Sequence, residues 1–246
     1  MKSPSLSIVV PAYNEQENLE KAVAKYNRVA KEIFHDYEII IFNDCSTDKT
    51  GMVADRIARK NPNVKVVHNK KNMGLGYNYR IGVKLAKKEY FIGLSGEGDA
   101  DEASIRHLLQ SAGKADMILS YINNPKDRQW ARRLLSWSFT AILNTMFGLR
   151  VKYYNGYVLH KTRILKKVRM STNSFAYQAE ITVRLLKVAK SKTQKKEKKY
   201  SYLEIPYRTA KTVGSSMFRI KNLMGMGTTV LTLLKDVYVK KDLGAE

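Results

Sequence analysis

The chain holds a single cysteine, Cys45, in 246 residues, so no disulfide can close within it and no cysteine-based zinc site can form. A lone thiol fits a reducing compartment. The four histidines, at 35, 68, 107 and 160, show neither HxH nor HExxH spacing, which removes a histidine zinc site as well. Any metal must then be held by oxygen. No apolar run approaches about 18 residues, the length a spanning helix requires. The opening MKSPSLSIVVPAYNE has only a few apolar residues in a row and is expected to be neither a signal peptide nor an anchor. Acids are scarce too: 22 Asp and Glu face 44 Lys and Arg, a net charge of +22. That surplus implies anionic company, whether nucleic acid, anionic lipid or phosphorylated substrate. No helix-turn-helix, zinc-finger or RNA-binding motif accompanies it, so nucleic acid is not the expected partner.

What is present is enough for one sizeable core. Hydrophobic residues make up 44% of the chain and aromatics 10%, while the length is too short for two full domains with separate cores. Apolar runs at 6 to 11, 37 to 43, 63 to 68, 90 to 94 and 115 to 120 read as strands. Helical periodicity fills the intervals at 14 to 34, 48 to 60, 75 to 87 and 102 to 112, with Leu19, Val23, Tyr26, Val29 and Ile33 marking the first helix. Strands alternating with helices predict an α/β fold around a mostly parallel sheet with flanking helices. Beyond residue 125 the alternation weakens to helices at 128 to 148 and 175 to 190 and a late strand at 200 to 208. Seven lysines crowd 187 to 199. They read either as a solvated loop or as a phospholipid contact. Residues 1 to 216 are expected to form the domain, and 217 to 246 a basic amphipathic helical extension that lies on a membrane or packs on the domain.

Ligands of such sheets bind beyond the carboxyl ends of the strands. Three polar loops fall there: PAYNE at 11 to 15, DCSTD at 44 to 48, and GEGDAD at 96 to 101. Ser46 and Asp48 also suit the N-cap of the following helix, a role compatible with holding phosphate nearby. In GEGDAD, acids spaced i, i+2 in a turn can converge on one hard cation. The pair is either Glu97 with Asp99 or Asp99 with Asp101. Further on come ARRLLS around Arg132, YYNGY at 153 to 157, and EIPYRTAKTVGSS at 204 to 216. The NMGLG string at 72 to 76 is too short for a dinucleotide fingerprint.

Taken together, VVPAYNE, NDCSTDKT, GEGDAD and the later strings resemble the inverting glycosyltransferases of family 2, in the dolichyl-phosphate mannose synthase-like branch, over about residues 5 to 220. The resemblance implies a GT-A type fold. It puts Pro11, Tyr13, Glu15, Phe42, Asp44, Gly98 and Ser216 at a nucleotide-sugar donor, GDP or UDP. An aromatic face can stack near a base while a carboxylate accepts from ribose hydroxyls. It also implies Mg²⁺ or Mn²⁺ on Glu97, Asp99 or Asp101, and a polyprenyl phosphate acceptor of dolichyl or undecaprenyl type met by Arg132 and Lys211. The chain departs from the family at Asn43, where an acid is usual, at Cys45 in a glycine's place, and at Lys211 in an arginine's. Glu180 in FAYQAE is a candidate near the acceptor. It is a base if the acceptor is a hydroxyl and unneeded if the acceptor is an ionised phosphate, with helix packing or an ion pair as its other role. The expected place is the cytoplasmic face of a membrane, held peripherally by an anionic surface. The alternatives are a hydroxyl acceptor in polysaccharide or glycolipid synthesis, and a nucleic-acid-binding or scaffold protein.

Overall fold

The computed structural model describes residues 4 to 188, 200 to 209 and 220 to 240. The alternation read from the sequence is present: β1 (Ser5–Ala12), α1 (Leu19–Ile33), β2 (Asp36–Asn43), α2 (Thr50–Lys60), β3 (Val64–His68), α3 (Leu75–Leu85), β4 (Tyr90–Gly93), α4 (Glu102–Gln110) and β5 (Met117–Ile122). There follow α5 (Trp130–Phe147), β6 (Val158–Lys161), the single turn α6 (Thr162–Leu165), α7 (Tyr177–Val188), β7 (Tyr202–Tyr207) and α8 (Ile220–Leu234), which runs on as a π-helical stretch, Lys235–Lys240.

The strands make one sheet in the order β3-β2-β1-β4-β6-β5-β7. Every pairing is parallel except those of β6, which is antiparallel to both β4 and β5. β6 has no counterpart in the sequence reading, which assigned no element to the residues just after YYNGY. Its four residues are too few to show a period, and they are strand because two neighbours fill their hydrogen bonds.

Alternating residues of β1 serve two cores. Leu6, Ile8 and Val10 pack under α1, α2 and α4, with Tyr26, Val29, Ile105 and Leu108. Val9 faces the other layer, where Tyr79, Phe139, Leu143, Phe147, Ile181 and Leu185 come from α3, α5 and α7. Both faces of the sheet are covered, which is why its strands read as continuous apolar runs. The tail expected to extend from the domain contributes Met226 and Leu233 of α8 to that second core. Lysines 190 to 199 and residues 210 to 219 lie outside the described residues.

Candidate active site

The loops after β1 and β2 are stitched to one another. Asn14 adopts a left-handed φ of 57°. Its N–H donates to Ser46 Oγ at 3.1 Å, and its Oδ1 accepts from Thr47 N at 2.9 Å. Glu15 N donates to Thr50 Oγ1 at 2.7 Å and Gln16 N to Asp48 Oδ2 at 3.2 Å. Asp48 Oδ1 also accepts from Thr50 N at 2.9 Å, so it closes the start of α2 as a capping residue does. Cys45 sits at φ 59°, the left-handed conformation for which glycine is suited. Asn43 accepts from Ser46 N through Oδ1, which turns its amide toward His68. Its Nδ2–H then donates to His68 Nδ1 at 3.0 Å, and His68 Nε2–H donates to Asp55.

The acidic loop is held from α1. Lys25 Nζ donates to the carbonyls of Gly98 and Ala100 at 2.7 and 2.6 Å, and Tyr26 Oη donates to that of Ser95 at 2.6 Å. Gly98 turns the loop at φ 70°, against Ala22. Asp99 accepts from Tyr157 Oη and, at 3.4 Å, from Thr209 Oγ1. Burial, then repulsion from Asp99 and Glu15, raises the Glu97 carboxyl above its ordinary pKa, against the pull of Arg132. Glu15 is raised too, chiefly by burial, with Asp48 and Asp99 adding to it. Glu97 and Glu15 thus lie in a region crowded with carboxylates that disfavours their charge, the condition a cation relieves.

A cavity of about 250 Å³ opens beyond the carboxyl ends of β1, β4, β5 and β7. Glu97 and Asp99 line it on one side, and Arg128 and Arg132 also face it, with Pro11, Asn155, Tyr157 and Thr209. Asn155 Oδ1 is buried with no partner among the described residues, an acceptor awaiting a donor. Among the described residues no three His, Cys, Asp or Glu converge on one point. Two carboxylates completed by substrate oxygens are a common arrangement for Mg²⁺, and the pair present here fits it.

Of the anticipated residues, Pro11, Glu97, Asp99 and Arg132 come together in the cavity. Tyr13 is 46% exposed and is not among the residues that line it. Asp101 is turned away, accepting from Ser104 N at 2.6 Å as the N-cap of α4, so Glu97 is the partner of Asp99 that faces the cavity. Phe42 is fully buried in the second core and supports the pocket without lining it. Asp44 is buried and accepts from Asn69 Nδ2, Met73 N and Gly74 N, which fixes the loop leading into α3. Glu180, a candidate base, is 1% exposed and accepts from Ser171, Thr172 and Arg184, so it takes the ion-pair role. Lys211 and Ser216 lie outside the described residues. Arg128, Tyr157 and Thr209 were not anticipated. Tyr157 and Thr209 lie within strings already singled out, YYNGY and EIPYRTAK, whereas no spacing pointed to Arg128.

The sequence profile described as Glycosyl transferase family 2 matches residues 7–170. The polyprenol monophosphomannose synthase of Mycolicibacterium smegmatis is 27% identical over 192 residues, 73% of this chain and 71% of its own. The undecaprenyl-phosphate mannosyltransferase of Micrococcus luteus is 23% identical over 193 residues, 74% of this chain and 78% of its own. Among solved structures, mannosyl-3-phosphoglycerate synthase from Rubrobacter xylanophilus superposes with a TM-score of 0.70 at 12% identity, covering 97% of this chain and 75% of that one. Glucosyl-3-phosphoglycerate synthase from Mycobacterium tuberculosis, in complex with UDP, gives 0.66 at 13%, covering 95% and 79%. At such identities the likeness is one of fold, and that fold is the expected GT-A type.

Proposed function

Since the chain belongs to glycosyl transferase family 2, we propose that it moves a sugar from a nucleoside diphosphate, GDP or UDP, to a polyprenyl phosphate at a membrane surface. The observation that carries this reading is the division of charge in the cavity: two carboxylates, Glu97 and Asp99, and two guanidiniums, Arg128 and Arg132. A donor diphosphate and an acceptor phosphate are both anions. The arginines suit one, and the acids suit the other only through a cation. A Mg²⁺ or Mn²⁺ ion held by Glu97 and Asp99 supplies charge neutralisation for the departing diphosphate.

The chain's own groups account for the rest. Tyr157 and Thr209 fix the Asp99 carboxylate, while Lys25 and Tyr26 fix the loop that carries it. Arg128 and Arg132 orient the acceptor phosphate, one oxygen of which attacks the anomeric carbon as its bond to the diphosphate oxygen breaks, inverting the centre. No proton need be removed from such a nucleophile. This agrees with the absence, among the described lining residues, of any carboxylate besides Glu97 and Asp99, and with the full engagement of Glu180 elsewhere. A hydroxyl acceptor would require the missing base. The names of the two relatives, a polyprenol monophosphomannose synthase and an undecaprenyl-phosphate mannosyltransferase, support the same acceptor class. Peripheral attachment at a cytoplasmic membrane face belongs to this reading and is supported by the +22 charge.

The test is transfer from labelled UDP- and GDP-sugars to a short, water-soluble prenyl phosphate with Mn²⁺ present. The expected product is a sugar phosphodiester, formed only with the divalent ion. Transfer to hydroxyl acceptors alone, or undiminished turnover in a chelator, would overturn the acceptor or the metal assignment respectively.

A further inference from the structure

Helix α5 has two unlike sides. At 3.6 residues per turn, Trp130, Leu134, Trp137 and Ala141 fall within about 60° of arc, and Arg132, Phe139 and Leu143 lie roughly opposite. The inner side carries Phe139 and Leu143 into the core and Arg132 to the cavity. On the outer side Trp130 is 75% exposed, Trp137 70% and Leu134 54%. Indole rings left in water at these levels are uncommon on a solvated surface, and contiguous exposed apolar side chains mark an interaction site.

Helix α8, which reaches α5 through Tyr238 of its π-helical continuation, also leaves an apolar side outside. It buries Met226, Thr229, Leu233 and, in the π-helical stretch, Asp236 against the domain, yet its other side exposes Met224, Leu231 and Val239. No charged residue occurs from 222 to 234. The outward threonines have already satisfied their hydroxyls: Thr228 Oγ1 donates to Gly225 O, and Thr232 Oγ1 to Thr228 O. Their methyls are what remain to face outward, so removing them from water strands no donor. The two helices meet where Tyr238 stacks on Phe147 and donates to Met146 O. Around this surface stand Arg133, Arg150, Lys235 and Lys240, all exposed. The acid of residues 128 to 150 and 220 to 240 is Asp236, which is buried against Arg184.

We propose that the outer faces of α5 and α8 together seat the protein in the interfacial layer of an anionic bilayer. Apolar side chains with indoles at the headgroup level, ringed by cations, match such a surface in both polarity and charge. No described helix is long and apolar enough to cross. The seat differs from the lysine-rich stretch in that burial of apolar area, rather than charge alone, supplies the attachment. It rests on the lipid-phosphate reading for its purpose: Arg132 lies between the two indoles along α5 but on the opposite side, so the seat brings the helix that carries Arg132, and with it the cavity, to the surface that holds the lipid phosphate.

The chain has two tryptophans, both on this face, so its own emission reports the event. Titration with phosphatidylglycerol vesicles is expected to shift the emission to the blue, and acyl-brominated lipid to quench it. The double variant W130S/W137S should sediment with those vesicles about ten-fold more weakly or worse, and so should L231K on α8. All should turn over a short soluble prenyl phosphate at close to the native rate. Unchanged emission with anionic vesicles at low salt, or variants that sediment as the native protein does, would overturn the seat. A blue shift that follows protein concentration without vesicles would assign the face to a second copy and overturn it too. Use of the soluble acceptor without vesicle insertion sinks the seat alone, and insertion without use of any prenyl phosphate sinks the proposed function alone.

Discussion

The acidic loop holds a side chain whose ionisation comes at the expense of the unliganded fold, and in the proposed reaction that charge would hold a cation. Glu97 is raised above the ordinary carboxyl value by burial and by Asp99 and Glu15. A raised acid binds its proton more tightly in the folded state, so the stability it confers is present below the unfolded value and lost as pH rises through the folded one. At neutral pH, Glu97→Gln is therefore expected to raise the melting temperature of the ligand-free protein. The same change should abolish the further rise given by UDP or GDP with Mn²⁺, and lower kcat about 100-fold or more. A variant that melts lower, or keeps the Mn²⁺-dependent shift, would contradict the carboxylate cluster. At Cys45 the strain is in the backbone: φ 59° costs a side chain about 1–2 kcal/mol, less what glycine gains in the unfolded chain. Cys45→Gly should be stabilising by about 0.5–1 kcal/mol and Cys45→Val destabilising, as read from urea midpoints.

Between elements, one buried charged cluster ties the end of α8 to α7. Arg184, 0% exposed, donates to Glu180 at 3.1 Å and to Asp236 at 2.7 Å, and the Glu180 carboxylate also accepts from Ser171 and Thr172. Arg184→Met leaves Glu180 without its cation and Asp236 with only the part-exposed Lys240 at 3.5 Å, and is expected to cost about 3–5 kcal/mol in urea unfolding. Adding Asp236→Leu to it should recover part of that loss. Glu180→Gln keeps the shape and removes the charge, so it should lower stability while leaving kcat on a soluble prenyl phosphate within about ten-fold. A general base accounts for about 10²–10⁴ in rate, so a fall of that size in a folded Glu180→Gln protein would restore the base.

Two expectations concern the whole molecule. Burial pushes His160 of β6 down to about 3 from the usual 6.5, so the folded protein binds this proton less tightly than the unfolded chain. The neutral ring's contribution is present above pH 6.5 and is lost progressively as pH falls toward about 3. The slope of stability against pH in that window should flatten in His160→Gln, and an unchanged slope would place the acid sensitivity elsewhere. The +22 charge predicts that turnover of a vesicle-borne acceptor falls as salt rises from about 0.01 M to about 0.3 M, while turnover of a soluble acceptor changes much less.

The alternation of strands and helices, and the places of the loops that form the site, were legible in the sequence because period and turn chemistry are local properties. The strings VVPAYNE and GEGDAD could be located for the same reason. Direction was not local. Whether Asp101 faces a metal or caps α4 depends on where the loop ends and the helix begins. Whether Glu180 is a base or an ion pair depends on Arg184 and on Ser171, which the chain brings to it from different distances. β6 exists because β4 and β5 present free edges on either side of it, and four residues carry no period by which to announce that. The outer face of α5 was hidden in a helix that carries large hydrophobic residues on both its inner and its outer side. Only packing decided which of its hydrophobic residues enter the core and which, Trp130 and Trp137 among them, remain outside.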